Sequence, residues 1–458
     1  MNSVSVTAEL LAKYDRPGPR YTSYPTVPTW REDFGPTQYR QALESGARRP
    51  RAPLSLYAHI PFCVQRCAYC GCNTITDAEA GLVDQYLAAM KREITMVAHT
   101  LDPRKTVTQM HWGGGTPTFL NEEQIQDLFT TFQEKFQIRQ DAEIAIETNP
   151  HTVSEAQLRC LRQLGFNRIS FGVQDLNPAV QRAVGRGQAP RETRQVIAHA
   201  RDLGFRGVNV DLIFGLPLQV VEEWRRTIET VIDMRPDRIA VYSYAHLPQR
   251  FAHQRALDGL PIPDATEKLA LFAQARQQLL EAGYIAIGMD HFALPEDELA
   301  QALGAGILSR NFMGYTVKAA PDQIGLGVSA ISEISDCYAQ NTKRIEKYIT
   351  ALSNSQFSTE QGMTLSKDDC IRRWLIRQLI CTFKINVDLL REVFGVRFED
   401  YFAAELPQLE AYQSEGMIEK RGGCWEATPL GAVFIRNICM VFDVYLDKEQ
   451  RVLFSRTI

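Results

Sequence analysis

LSLYAHIPFCVQRCAYCGCN, residues 54–73, decides the fold. Residues 54–60 read as a strand. Four cysteines follow at once, spaced Cys-x3-Cys-x2-Cys-x-Cys, so they form the first loop at one end of a sheet. Outward from this point, short runs rich in β-branched and aromatic residues recur at 108–112, 143–147, 168–172, 207–213 and 238–243, with later ones at 284–289 and 323–328. Amphipathic stretches lie between them, at 81–97, 122–136, 155–164, 191–203 and 221–234. Helix-length connections between strands indicate a parallel sheet made of βα units. Six such units in a row predict an α/β fold, a partial (β/α)6 TIM-like barrel, with its site at the C-terminal ends of the strands. A doubly wound open sheet is the alternative topology that the pattern allows.

Three domains are expected. Residues 1–50 form an arm, read as ordered but irregular because Pro17, Pro19 and Pro25 in RPGPRYTSYPT oppose a helix. Residues 51–355 form the partial barrel. Residues 356–458 form a mostly helical domain. Its helices are expected at 365–383, 387–393 and 398–416, then a hairpin at 417–426 turning at Gly422–Gly423, then a helix from Pro429. This order is winged-helix-like, but residues 360–458 carry 13 Lys+Arg against 15 Asp+Glu, so the basic footprint of a nucleic-acid binder is missing. The whole chain of 458 residues has a net charge of −4, which gives no long-range pull on nucleic acid or anionic membrane. Any anionic ligand must be caught by local Arg or Lys residues. No apolar run approaches the roughly 20 residues of a membrane span, and the first residues lack a secretory signal. A cytoplasmic protein without a membrane span is expected.

Of ten cysteines, six (Cys160, Cys337, Cys370, Cys381, Cys424 and Cys439) sit in apolar or helical surroundings and read as small hydrophobes. The other four share one loop. Thiolates favour soft metals and iron–sulfur clusters, whereas structural zinc usually draws its ligands from two separated pairs. One loop can present three thiolates to one face of a cube, and the x3 and x2 gaps suit Cys63, Cys67 and Cys70. One iron of a [4Fe–4S] cluster is then left open to a small molecule. The second strand ends in HWGGGTPTFL, whose glycines let backbone approach a ligand closely. Glu147, Gln174, Arg186 and Asp211 follow at or after the ends of the third, fourth and fifth strands. Successive strand ends delivering polar groups to one cavity are what a barrel-mouth site requires.

The triplet at the end of a first barrel strand resembles the radical S-adenosylmethionine superfamily. From about residue 15 onward, the chain more closely resembles the oxygen-independent coproporphyrinogen III oxidases. The segments that carry this likeness are PRYTSYPT (19–26), CGCN (70–73), GGGTPT (113–118), ETNPHT (147–152), SFGVQD (170–175), DLIFGLP (211–217), GMDHFALP (288–295), SRNFMGYT (309–316), GLGVSAIS (325–332), CIRR (370–373), RNICMVFD (436–443) and FSR (454–456).

The resemblance implies that S-adenosylmethionine chelates the open iron and yields a deoxyadenosyl radical on reduction. Two propionates of coproporphyrinogen III would become vinyl groups, giving protoporphyrinogen IX and carbon dioxide. It implies two S-adenosylmethionine molecules, with Tyr57, Gly114, Glu147 and Ile331 at the cluster-bound one. Tyr69, Gly115, Thr116, Gln174, Arg186, Asp211 and Ala245 belong with the second. By the family's three-ligand logic Cys72 is not a ligand. A low-potential donor of the flavodoxin or ferredoxin kind and an electron acceptor complete the implied partners.

The substrate is a tetra-anion. Arg20 and Arg310 are the candidates for clamping its propionates, because guanidinium matches carboxylate bidentately, and Tyr21 and Tyr24 are expected to close the cavity. His59 reads as structural. Nothing suggests an obligate interface, so a monomer is expected. Two rivals share the superfamily: a haem-binding chaperone, and an enzyme that opens the haem ring by radical methylation. The PRYTSYP arm, the GCN and the long C-terminal domain stand against the first. RNFMGYT and MDHFALP stand against the second.

Overall fold

A computed structural model describes residues 6–318, 320–446 and 454–457. Its centre is strand β1 (Leu54–Ile60). Strands β2 (Thr106–Gly114), β3 (Gln137–Thr148), β4 (Arg168–Gln174), β5 (Gly207–Phe214) and β6 (Arg238–Ser243) follow in sequence order, each parallel to the one before. Right-handed crossovers that always step the same way put every helix on one face. The doubly wound alternative, which needs the order to reverse, is therefore excluded.

Short antiparallel strands β7 (Ile285–Ile287) and β8 (His291–Ala293) extend the sheet beyond β6. A separate hairpin, β9 (Ser309–Asn311) with β10 (Gly314–Thr316), comes next. Strand β11 (Asp322–Leu326) then returns to lie parallel to the other side of β1. Three antiparallel strands, β12 (Ile331–Ile334), β13 (Cys337–Asn341) and β14 (Thr359–Thr364), finish that edge. The outer strands β7 and β14 do not pair with each other, so the barrel is partial.

Side chains alternate along a strand with period two, and here the two faces differ in kind. Leu54, Leu56, Ala58 and Ile60 of β1 are buried in one apolar core with Met110, Trp112, Ile144, Ile146, Phe171, Val210 and Leu212. This core lies under the helices. The opposite face carries Gln109, His111, Glu143, Glu147, Arg168, Ser170, Asn209, Asp211, Arg238 and Tyr242, which line one cavity. The hydrophobic effect thus holds the helices on the outside and leaves a polar interior.

Several local expectations change. The arm is not wholly irregular: Ala8–Tyr14 and Pro36–Ala47 are helices, capped by Thr7 and led by Pro36 at the first position. The proline-rich stretch between them is irregular, with one short 3-10 turn at Val27–Thr29. The segment at 284–289 holds the first strand, Ile285–Ile287, of an antiparallel hairpin with His291–Ala293 rather than a parallel strand. The sheet also continues past residue 355, because β14 pairs with β13. Beyond it, Lys367–Thr382 is a helix and Ile418–Arg421 pairs with Cys424–Ala427 across Gly422 and Gly423, both at positive φ. A second core, including Ile371, Leu375, Phe402, Trp425 and Ile438, fills the C-terminal part. Among the described residues no helix is long and apolar enough to cross a membrane.

One buried carboxylate ties helix Ala80–Thr100 to the late strands. Glu93, 0% exposed, accepts hydrogen bonds from Gly327 N–H (2.7 Å), Asn341 Nδ2 (2.6 Å) and Tyr348 Oη (2.6 Å). Burial pushes its carboxyl up to about 7, even though these donors pull it down. Its folded value lies above its ordinary one, so the folded state holds the extra proton. Its contribution therefore falls as pH rises from about 4.5 toward 7 and is level above that. Glu93→Ala would leave three donors without an acceptor and should lower unfolding stability by about 3 kcal/mol. Urea unfolding of wild type and variant at pH 5 and pH 8 checks both statements, and the pH-dependent difference should vanish in the variant.

Candidate active site

The cysteine loop is shaped before any ligand arrives. Cys63 N–H donates to Ile75 O (3.0 Å), Cys70 N–H to Cys67 O (3.1 Å) and Ala68 N–H to Val184 O (3.0 Å). From a segment that sequence reasoning missed, His253 Nε2 bonds Cys70 O (2.7 Å) and Gln254 Nε2 reaches Tyr69 O (3.1 Å) and Ala245 O (3.3 Å). Their only signal in the sequence is a short polar run, His253 to Arg255, between alanines. Cys63 Sγ lies 3.5 Å from Thr116 Oγ1, Cys67 Sγ 3.7 Å from Arg186 Nη1, and Cys70 Sγ accepts from Cys72 N–H at 3.4 Å. Burial pushes the Cys63 thiol up to about 11. The Cys72 thiol, donating to Cys70, brings Cys70 down to about 7. Each thiol of the triplet therefore has its own polar neighbour, and Cys72 serves Cys70.

The glycine run is packed between this loop and the next strand. Gly115 N–H donates to Ile60 O (2.8 Å) and Thr116 N–H to Phe62 O (2.9 Å). A Cβ on Gly115 would stand 2.7 Å from the carbonyl oxygens of Pro61 and Phe62, which are backbone and cannot give way. At Gly114, which has φ +115°, a Cβ would meet the His59 ring at 2.7 Å. His59 itself is tied at both nitrogens, to Tyr57 Oη (3.2 Å) and Asn73 O (3.0 Å), and burial lowers its pKa. It is a neutral strut between β1 and the CGCN end.

Glu147 accepts from His111 Nε2 (3.0 Å) and Gly114 N–H (3.2 Å). Burial opposes its charge, but these two donors hold its carboxyl below the ordinary value. The Tyr57 ring stacks on His111 with centroids 6.0 Å apart. Asp211 accepts from Ser170 Oγ (2.6 Å) and Asn209 Nδ2 (2.9 Å), and burial raises its pKa. Arg186 donates to Tyr69 Oη (2.8 Å), Gly172 O (2.6 Å) and Gln188 Oε1 (3.0 Å). Gln174 ends β4 at φ +69°, its amide so close over Gly172 that a Cβ there would lie 2.8 Å from Nε2.

Most expected residues are therefore neighbours around the mouth of the barrel. Ile331 packs in a different cluster, with Trp30, Phe312 and Tyr338. The arm residues depart from expectation. Arg20 Nη2 donates to Ser243 O (2.8 Å) and Arg310 Nη1 to Arg20 O (2.9 Å). Neither arginine lines the polar cavity. Tyr21 donates to Asp443 (3.0 Å), and both it and Tyr24 are buried in the second core, which ties the arm to the C-terminal part.

The residues present fit a cluster with S-adenosylmethionine. Gln174 Oε1 and Arg186 Nε are buried without partners, as polar groups awaiting a ligand are. Among the described residues no three His, Cys, Asp or Glu side chains surround a point that one ion could occupy. A cluster asks for something else, thiolates set round a larger volume with each on its own iron.

Comparison with known proteins agrees. The Radical SAM superfamily model matches residues 57–231, and the HemN C-terminal domain model matches residues 365–434. The chain is thus a radical S-adenosylmethionine protein. Oxygen-independent coproporphyrinogen III oxidases from Pseudomonas aeruginosa and Escherichia coli are 43% and 45% identical to it. The first match covers all of both chains and the second 98% of each. The solved structure of the Escherichia coli enzyme, described as coproporphyrinogen III oxidase (HemN) and a radical SAM enzyme, superposes with a TM-score of 0.91. It covers 97% of this chain and all of the other, at 43% identity. This chain belongs to the oxygen-independent coproporphyrinogen III oxidase family.

Gly115→Ala should keep the fold but break the pairing of the glycine run with the cysteine loop. Anaerobic reconstitution followed by iron and sulfide analysis should show cluster content reduced severalfold, with far-ultraviolet circular dichroism unchanged.

Proposed function

We propose that this chain oxidises coproporphyrinogen III without oxygen, turning two propionate side chains into vinyl groups with release of carbon dioxide and giving protoporphyrinogen IX. The carrying observation is the ring of strand-end groups on β2 to β5, set beside a three-thiol loop in a chain collinear with named oxidases from end to end.

Cys63, Cys67 and Cys70 would hold the cluster. Tyr57, Gly114, Glu147 and Ile331 would serve the S-adenosylmethionine on it. Tyr69, Gly115, Thr116, Gln174, Arg186, Asp211 and Ala245 would serve the second. When bound, the cluster and S-adenosylmethionine supply a carbon-centred radical able to remove hydrogen from a propionate C–H bond. The chain's own residues do the rest. Glu147, held anionic by His111 and Gly114 N–H, presents acceptors to hydroxyl groups of a ribose. Arg186, braced on Tyr69 and Gly172 O, keeps a fixed positive charge beside Cys67. The polar interior below them admits a propionate.

A low-potential electron carrier of the flavodoxin or ferredoxin kind fits the cysteine loop, which reaches the surface at Val64, 67% exposed. We assign the protein to the cytoplasm, where thiols stay reduced, as a monomer passing its electrons to a separate acceptor.

An anaerobic assay with reconstituted protein, S-adenosylmethionine, a reductant and coproporphyrinogen III tests the proposal. Two carbon dioxide molecules per protoporphyrinogen are expected. A haem chaperone would release none, and a ring-opening enzyme would act on haem instead. Ligand roles separate by iron analysis: Cys63→Ala, Cys67→Ala and Cys70→Ala should each fail to assemble a four-iron cluster, whereas Cys72→Ser should assemble one. Loss of the cluster in Cys72→Ser would return that residue to the ligand set.

A further inference from the structure

The loop that carries the cysteine triplet is closed at its base by Cys63 N–H on Ile75 O (3.0 Å). Between Pro61 and Ile75 the chain holds one cation, Arg66, and no acid. The exposed acids Asp77 and Glu79 come only beyond that closure. Within the loop Val64 is the most exposed large apolar side chain among the described residues. Cys63, Cys67 and Cys70 are part-exposed, so a cluster held by them lies directly beneath this surface.

Three further segments bring cations to the loop. Ala68 N–H donates to Val184 O (3.0 Å), just past helix Pro178–Ala183, and Arg182 of that helix lines one cleft with Val64, Gln65 and Cys67. The Phe251 ring comes within 3.7 Å of where a Cβ on Gly71 would stand, and the Arg250 guanidinium sits over that ring, 5.5 Å from its centroid. Lys343 O accepts from Asn73 Nδ2 (3.2 Å). Arg66, Arg182, Arg250 and Lys343 are all exposed. Arg66 donates to Thr74 O, but none of the four forms an ion pair among the described residues. Exposed arginines elsewhere do: Arg31 with Asp33, Arg104 with Asp102, Arg139 with Asp141 and Arg226 with Glu223. A chain of net charge −4 thus gathers unneutralised cations from four segments around one exposed apolar residue. An apolar centre in a charged rim is the anatomy of an interface, and such a patch steers an anionic partner.

We propose that this face docks a small acidic one-electron carrier of low potential, with Val64 at the centre of contact and Arg66, Arg182, Arg250 and Lys343 around it. In the docked pair the carrier is oxidised by one electron and the cluster beneath the loop is reduced by one, with no bond made or broken. The cations act on encounter, so their effect lies in the association rate and fades as salt screens them. The inference rests on the carrier proposed above and names where it sits.

The test mixes anaerobic reconstituted holoenzyme with pre-reduced flavodoxin, an acidic carrier, and follows bleaching of the cluster's visible absorbance by stopped flow. Photoreduced 5-deazariboflavin, small and uncharged, is the reference reductant. Reduction of wild type by flavodoxin should slow steeply as salt rises, while reduction by deazariboflavin should not change. Combining Arg182→Glu, Arg250→Glu and Lys343→Glu should slow flavodoxin by about tenfold or more at low salt and leave the deazariboflavin rate as it was. Combining Arg51→Glu, Lys135→Glu and Arg206→Glu makes the same change of charge at the opposite ends of β1, β3 and β5, and should keep most of the flavodoxin rate. Equal losses in the two triple variants, or no loss in the first, would overturn the docking face. Should the first variant hold no cluster, Lys343→Glu alone decides, because that side chain has no hydrogen bond or ion pair to lose among the described residues. A salt dependence as steep as that of wild type would then be fatal to the proposal. Wild type that deazariboflavin reduces and flavodoxin does not would overturn the carrier as well, and a protein reduced by neither would count against the cluster itself.

Discussion

The two-faced sheet is the constraint on which everything else in this protein depends. A strand such as β1 puts Leu54, Leu56, Ala58 and Ile60 under the helices and Ser55, Tyr57 and His59 into the interior. The same alternation holds across β2 to β6. A closed barrel usually fills its interior with branched apolar side chains. Here the interior is built of paired polar groups: Ser55 hydrogen-bonds Gln109 (2.8 Å), Gln109 hydrogen-bonds Glu143 (2.9 Å), and Arg168 forms ion pairs with Glu143 (2.7 Å) and Glu298 (2.9 Å). Such a network is stable only when nearly every member is paired. Among the buried atoms without partners, Gln174 Oε1 and Arg186 Nε belong to residues expected at the cofactor.

The mouth of the barrel depends on this floor. Because each strand is held on both faces, its end is fixed, and a side chain such as Glu147 meets His111 and Gly114 N–H without a search. The cysteine loop is anchored at Phe62 in the main core and by Ala68 and Tyr69 in a smaller cluster. It donates to Ile75 O and Val184 O and accepts from the His253 side chain and Thr116 N–H. Preorganised donors and acceptors cost no rearrangement when a ligand arrives, which suits a loop that must keep three thiols apart and unpaired.

Much of this was readable in the sequence because the physics is local. Strand, loop and helix follow one another within some forty residues in each βα unit, and periodicity reports them directly. The triplet Cys63, Cys67 and Cys70 and the run Gly113–Gly115 are likewise local patterns. What sequence did not disclose depends on distant partners. Strands β12 to β14 are short, and only their pairing with β11 makes them part of the sheet. The arm's helices hide behind prolines that mark its irregular middle. Arg20 and Arg310 carry the right chemistry for carboxylates, but Arg20 is taken up by a carbonyl 223 residues away and Arg310 by one 290 residues away. Composition cannot show that neither guanidinium lines the polar cavity. His253 and Gln254 escaped for the same reason.

That displacement also resolves the charge problem of a tetra-anionic substrate in an acidic chain. Net charge sets the long-range field, but recognition inside a cavity depends on individual donors at contact distance, where the effective dielectric is lower. Arg20 and Arg310 still matter, one step removed. Both stabilise the anion of Asp290, and Asp290 orients His291. Arg20 belongs to the arm, and Arg436 of the C-terminal part holds the arm through Pro19 O (3.0 Å). The arm and the C-terminal part thus reach the barrel interior through the β8 wall without lining it.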